Sequence, residues 1–397
     1  MEPIIKSFLD TDFYKISMGQ AVLQLYPTAH VVYKFINRDT SMKFNQASYD
    51  SIVENIKAMA SLALTEDEFN FLKKYSFLNI GYLEYLKNYR FKPEQVHTSL
   101  SEDGLLNIKI EGPWHETILW EVCLMAIVSE SYFNHVDVEW KKDIYWQIEQ
   151  ITQAQEKAMM LSGMKGKFTD FGTRRRRNYE TQDLVVKTFS DMHKEGNLKN
   201  FFGTSNVHLA HKYGLRAIGS CAHEWFCGIS ALESLRHANR FALEKWQEVY
   251  KGSLGYALTD TFGTDTFLKD FTPRLAREFD AVRQDSGDPF MFTDKMIKHY
   301  ESCGVDPTTK LILFSDGLTV NKCLKLDEYC SGNIRCSFGV GTHFSNDFKC
   351  SKPLNIVIKL YSVNDIPVVK LSDSHTKATG DKDALKVAMW TFFNRPL

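Results

Sequence analysis

The second half of the chain repeats one unit, and that repeat limits the folds open to it. A short apolar strand ends in Gly, Asp, Ser or Thr, and a helical run usually follows. The unit appears at Lys167-Phe168-Thr169-Asp170-Phe171-Gly172, at Leu215-Arg216-Ala217-Ile218-Gly219-Ser220 and at Gly255-Tyr256-Ala257-Leu258-Thr259-Asp260. It returns at Ala281-Val282-Arg283-Gln284-Asp285-Ser286-Gly287, at Leu311-Ile312-Leu313-Phe314-Ser315-Asp316-Gly317 and at Cys336-Ser337-Phe338-Gly339-Val340-Gly341. Strand, polar loop and helix at intervals of roughly 25 to 50 residues describe a parallel α/β barrel. A doubly wound open sheet has a similar rhythm, but no GxGxxG opens the first unit. In a barrel the active site lies at the carboxyl ends of the strands, where all of these polar clusters fall.

The remainder is written differently. Up to about Tyr132, helix-like runs such as Tyr49 to Leu64 mix with short strands such as Val31-Val32-Tyr33-Lys34-Phe35. Glu116 to Ser131 is apolar and free of Gly and Pro, which predicts a buried helix, and a further helical stretch runs from about Trp140 to Met160. Leu354 to Leu371 breaks the rhythm. It reads as an antiparallel hairpin around Val363-Asn364-Asp365 that packs back on the amino-terminal part. A length of 397 residues accommodates two domains.

Net charge is -1, so no global field draws in nucleic acid or an anionic membrane, and an anionic substrate needs a local site. The eight cysteines lack CxxC spacing and read as free thiols of a reducing compartment. Met1-Glu2-Pro3-Ile4 does not open a secretion signal, and no window has the roughly 18 to 20 apolar residues of a membrane span. The expected location is cytoplasmic.

Several strand-end clusters carry chemistry. Arg174-Arg175-Arg176-Arg177 follows Phe171-Gly172-Thr173 on the expected active face, and guanidinium suits phosphate or carboxylate. A substrate-anion clamp fits that position better than a solvated charge run. His223 stands at a strand-to-helix junction in Gly219-Ser220-Cys221-Ala222-His223-Glu224-Trp225. There the free N–H groups of a helix start favour an anion, and an imidazole can accept a phosphoryl group. Asp260 and Asp285, at other strand ends, are placed to orient its ring.

Arg283 and Asp285 project to the same side of an extended strand, and carboxylates here can hold Mg²⁺ that also touches substrate phosphates. Ser315-Asp316-Gly317-Leu318 and Phe338-Gly339-Val340-Gly341-Thr342-His343 end consecutive strands. Their glycines and hydroxyls suit a phosphate cradle. No Walker A sequence is present, so any ATP is bound by other means.

These clusters together resemble the nicotinate phosphoribosyltransferases, from Leu9 nearly to the carboxyl terminus. The resemblance rests on Asp10-Thr11-Asp12-Phe13-Tyr14 with Met18, on Gly112-Pro113, and on Leu119-Trp120-Glu121. It continues through Asp170-Phe171-Gly172-Thr173-Arg174-Arg175, Gly203-Thr204-Ser205-Asn206 and Ala222-His223-Glu224-Trp225. Arg283-Gln284-Asp285-Ser286-Gly287-Asp288 and Phe338-Gly339-Val340-Gly341-Thr342 complete it.

The resemblance implies an irregular, TIM-like α/β barrel over residues 136–351. It also implies an additional α/β (α+β) domain from residues 1–135, completed by about 352–397. The implied reaction joins nicotinate to C1 of 5-phosphoribosyl 1-pyrophosphate and releases pyrophosphate, for NAD synthesis by salvage. ATP is the implied cosubstrate, acting with Mg²⁺ and through a phosphorylated His223. Tyr14 and Phe171 would sandwich the pyridine ring, and Arg174 and Arg283 would hold anionic parts. Asp260 and Asp285 would orient His223 or the metal. Ser315, Asp316, Gly317, Gly339, Gly341 and Thr342 would bind the phosphoribosyl phosphates. Ser220 stands where the family often has Thr, and keeps the hydroxyl.

The nearest alternative is nicotinamide phosphoribosyltransferase. In those relatives an Asp occupies the place of Ser205, and its absence favours an acid substrate. Quinolinate phosphoribosyltransferases lack the Ala222-His223-Glu224-Trp225 pattern. An RNA-binding role for the arginines conflicts with the neutral charge and the acidic loops, and a dead scaffold conflicts with the complete motif set. A homodimer is compatible with the sequence, which specifies no oligomeric state.

Overall fold

In the computed structural model, residues 2–374 and 378–394 are described. Strands β1 (His30–Asn37), β2 (Val96–Leu100) and β3 (Leu106–Pro113) lie among helices in the first part of the chain. The middle carries β4 (Lys167–Asp170), β5 (Phe201–Thr204), β6 (Tyr256–Leu258), β7 (Ala281–Gln284), β8 (Leu311–Phe314) and β9 (Arg335–Val340). Last come β10 (Ile356–Val363), β11 (Ile366–Pro367), β12 (Val369–Lys370) and β13 (Thr379–Gly380), before a helix at Lys382–Phe393.

The middle strands form one six-stranded sheet in the order β5-β4-β9-β8-β7-β6, and every neighbouring pair is parallel. Phe168, Val282, Ile312, Phe314 and Phe338 are fully buried, as side chains of a sheet covered by helices must be. The α/β architecture is the expected one, with one member of the repeat displaced. Leu215–Ser220 is not a regular strand and makes a single bridge, Ala217 to Thr204. β5 takes the regular position beside β4 instead. Gly203 permits the approach, since at its φ of +140° a Cβ would lie 2.3 Å from the carbonyl oxygen of Arg216. The Ala217 amide donates to the Tyr75 hydroxyl at 2.9 Å and not to a neighbouring strand, so the barrel is irregular between its two edges, β5 and β6.

A second sheet, ordered β11-β10-β1-β3-β2, is antiparallel throughout and combines strands from both ends of the chain. Asn364 and Asp365, with φ of 46° and 63°, make the tight turn between β10 and β11. The expected hairpin then departs from its simple form. After Val368 donates to the Tyr361 carbonyl, the chain leaves this sheet, β12 pairs with β13, and the Leu371 amide donates to the Thr261 carbonyl. This strap ties the chain end to the barrel mouth.

Helix Trp120–His135, which covers most of the apolar run read from sequence, is buried over nearly its whole surface. It touches both β10 and the turn Thr173–Arg175. Helix His223–Leu232 also touches β10. The two sheets therefore meet around the strand ends that carry the polar clusters. Among the described residues no helix is long and apolar enough to cross a membrane, and all eight cysteines are free thiols.

Candidate active site

His223 is the first residue of the helix His223–Leu232, reached through extended Ala222. Its Nδ1 lies 3.0 Å from Thr261 Oγ1, and its Nε2 lies 3.0 Å from Asp285 Oδ2 and 2.9 Å from Lys370 Nζ. Asp260 Oδ1 is 3.6 Å from the same Nε2. One nitrogen cannot donate to Asp285 and accept from Lys370 at once, so the ring has a choice of tautomer. Burial and the Lys370 ammonium, against the pull of both carboxylates, hold the imidazole pKa at about 4. The ring is neutral at physiological pH. Burial alone would raise the Asp285 carboxyl, but Arg283 and His223 hold it well below the usual carboxylate range.

The neighbouring Glu224 points the other way. It accepts from Trp114 Nε1 at 2.8 Å and from the Tyr33 hydroxyl, and it pairs with Lys15, which also meets Glu121 at 2.6 Å. These fully hydrogen-bonded buried charges pin the helix start, so His223 does not depend on a ligand for its position.

The arginine run divides, which corrects the reading of it as one clamp. Arg176 forms a buried bidentate pair with Asp10, at 2.7 and 2.8 Å. Arg177 donates to Ser351 and stacks on Phe133 and Phe348. Both are fully buried and structural. The 3₁₀ turn Thr173–Arg175 turns only Arg174 and Arg175 toward the open side.

Three adjoining cavities surround these residues, and Arg174 and Arg283 line all of them. The first, about 160 Å³, contains His223, Asp285, Ser315, Asp316, Gly317 and Tyr14. The second, about 460 Å³ and mostly apolar, contains Tyr14, Phe171, Ser205 and Ser220. The third, about 60 Å³, contains Ser315, Gly339, Gly341 and Thr342. The two glycine loops thus part company: Asp316 and Gly317 face the histidine, and Gly339 and Gly341 face a separate niche. Gly339 also has a role other than backbone approach to phosphate, because a Cβ there would lie 2.3 Å from the Phe171 ring. Asp260 is fully buried behind the first cavity, where Ser286 donates to it at 2.6 Å.

The pocket near Ser205 is not free of carboxylate. Ser205 Oγ donates to Asp12 Oδ1 at 2.7 Å, and burial pushes the Asp12 carboxyl upward. The missing Asp at position 205 therefore removes one carboxylate of two.

Sequence reasoning did not find Arg38, Lys359 and Lys370, which line the first cavity from the chain-end segments. Nothing local marks them, since each is a single cation on or just after an ordinary strand. Burial and then neighbouring Lys370 lower the Lys359 pKa to about 8, and burial and then Arg174 lower that of Arg175 to about 10. Cations crowded this closely are relieved when an anion binds between them.

The carboxylates do not fit a resident Mg²⁺, which demands near-octahedral oxygen ligands. Asp285 Oδ1 already receives Arg283 and Ser315, Asp285 Oδ2 faces the ring, and Asp260 Oδ2 receives Lys370 and Ser286.

Residues 166–397 match the model of the nicotinate phosphoribosyltransferase family, and residues 9–129 match the model of that family's N-terminal domain. The chain belongs to the nicotinate phosphoribosyltransferase family. The nicotinate phosphoribosyltransferase of Methanosarcina acetivorans is 49% identical over 404 residues, covering 97% of each chain. That of Chromohalobacter salexigens is 41% identical, again over 97% of each. The crystal structure of the Porphyromonas gingivalis nicotinate phosphoribosyltransferase superposes with a TM-score of 0.91 at 38% identity, over 98% of this chain and 100% of that one. In this member of the family, the matched N-terminal domain supplies Tyr14 and Arg38, and the longer match supplies His223 and the closing lysines.

Proposed function

We propose that the protein joins nicotinate to 5-phosphoribosyl 1-pyrophosphate, forming nicotinate mononucleotide and pyrophosphate, with ATP hydrolysis coupled through phosphorylated His223. One observation carries this reading: Arg174 and Arg283 are common to an apolar slot, a small niche and a cavity holding a buried imidazole. Three ligand parts of different chemistry can thereby meet at one pair of guanidinium groups.

In the slot, Tyr14 and Phe171 offer aromatic faces to a pyridine ring. The niche of Gly339, Gly341 and Thr342 takes the 5-phosphate. Arg38, Arg175 and Lys359 face the diphosphate. The pyridine nitrogen forms its bond to C1 as the C1–O bond to pyrophosphate breaks, and pyrophosphate leaves with that electron pair. Asp285, held ionised by Arg283, stabilises the positive charge that develops on the sugar as these bonds exchange. Mg²⁺ carried on the phosphates of the diphosphate and of ATP would neutralise their charge, without a ligand from Asp260 or Asp285.

For the ATP step, a neutral imidazole is the form required of a nucleophile, and burial beside Lys370 supplies it.

A second reading, nicotinamide as the acceptor, draws on Asp12, whose carboxylate beside Ser205 can accept from an amide. Trapping tests the ATP step: incubation with [γ-³²P]ATP should label the wild type with an acid-labile, alkali-stable phosphate and leave His223→Asn unlabelled. Equal labelling of both proteins contradicts the assignment.

A further inference from the structure

His223, Asp260 and Asp285 bring a ring nitrogen and two carboxylate oxygens within 4.8 Å of one another, a spacing that suits a divalent ion. A cation already stands there. Lys370 Nζ is 2.9 Å from His223 Nε2 and 3.0 Å from Asp260 Oδ2.

We propose that Lys370 is the resident cation of this cluster, a positioning residue whose ammonium takes the place of a protein-bound divalent ion. It holds the ring and Asp260 in register, and metal enters only on substrate phosphates.

The local charge supports this. Two carboxylates, the buried Asp260 and the partly buried Asp285, face two cations, Lys370 and Arg283, the latter 3.1 Å from Asp285. With a neutral ring the cluster is balanced, and a divalent ion added beside the ammonium meets direct repulsion. The ammonium is also placed by backbone and not by a ligand. Lys370 pairs with Thr379 across β12 and β13, the Leu371 amide donates to the Thr261 carbonyl at 2.8 Å, and Cys227 Sγ donates to the Val369 carbonyl at 3.3 Å. Its side chain is 8% exposed. Asp260 Oδ1 is buried without a hydrogen bond, so removing the lysine leaves an under-satisfied oxygen facing the ring.

The test is Mn²⁺ binding by electron paramagnetic resonance, on the full chain without substrates. Wild type and Lys370→Arg should leave Mn²⁺ free. Lys370→Ala should bind one Mn²⁺ per chain at least tenfold more tightly than wild type, and the added substitution Asp260→Asn should abolish that site. A simple packing role for Lys370 predicts no gain of metal. The proposal is overturned if wild type or Lys370→Arg holds one Mn²⁺ that Asp260→Asn releases, or if folded Lys370→Ala gains none. If circular dichroism shows Lys370→Ala unfolded, wild type against Asp260→Asn decides: silence in both supports the proposal, and a site lost in Asp260→Asn overturns it.

Discussion

Lys370 and His223 are separated by 147 positions in the chain, yet Nζ and Nε2 stand 2.9 Å apart. The contact exists because the chain end first completes the amino-terminal sheet through β10 and then crosses to the barrel through β12. The strap therefore sets the electrostatics of the imidazole, and the fold of the terminal segments bears directly on the chemistry.

The imidazole should titrate far below an ordinary histidine. In the folded protein its pKa is held at about 4, against 6.5 for the unperturbed group. The folded state binds the proton more weakly than the unfolded chain, so this group contributes stability above pH 6.5 that is lost as pH falls toward 4. NMR titration of the ring carbons should show His223 neutral at pH 6. A midpoint near 6.5 contradicts the burial argument.

His223→Ala should fold, because Glu224, Trp114 and Lys15 fix the helix start without the ring. It should lose ATP coupling and most turnover at low phosphoribosyl pyrophosphate. Measuring ADP released per nucleotide formed checks this, and an unchanged ratio contradicts the phosphohistidine.

Arg176→Met should destabilise strongly, by about 3–5 kcal/mol, since it strands the Asp10 carboxylate in the interior. Arg175→Met should leave the melting temperature unchanged and raise the KM for the sugar diphosphate. Urea unfolding and initial rates separate the two, and equal effects on stability contradict the division of the arginine run.

Ser205→Asp should set a second carboxylate against Asp12, where Ser205 now donates at 2.7 Å. Nicotinate is repelled, and kcat/KM for it should fall roughly tenfold or more with little change in folding. Kinetics equal to wild type would remove the selectivity argument.

Gly339→Ala should displace the Phe171 ring, which a Cβ would approach to 2.3 Å. The expected result is a raised KM for nicotinate in a protein that still folds, read from initial rates and a melting curve.

The barrel was legible because buried parallel strands read as apolar runs and their polar ends as punctuation. His223, Asp285, Arg174 and Arg283 were found on the same basis, as chemistry-bearing residues at strand ends. Ala217 was misplaced because an extended segment held by one bridge has the same local pattern as a strand. Arg176 and Arg177 carry the charge of Arg174, and only the 3₁₀ turn decides which of them face inward. Gly339 looked like a phosphate-loop glycine, while its contact with Phe171 depends on β9 lying beside β4. Lys370 was illegible for the deepest reason: a lone lysine ending a two-residue strand has no local signature, and only the strap gives it a partner.

The measurement closest to the central claim is product formation from nicotinate and from nicotinamide, each with phosphoribosyl pyrophosphate, with and without ATP. Nicotinate should be converted to its mononucleotide faster with ATP present, with ADP formed in step and nicotinamide left nearly untouched. Preferential use of nicotinamide, or nicotinate turnover indifferent to ATP, would contradict the account.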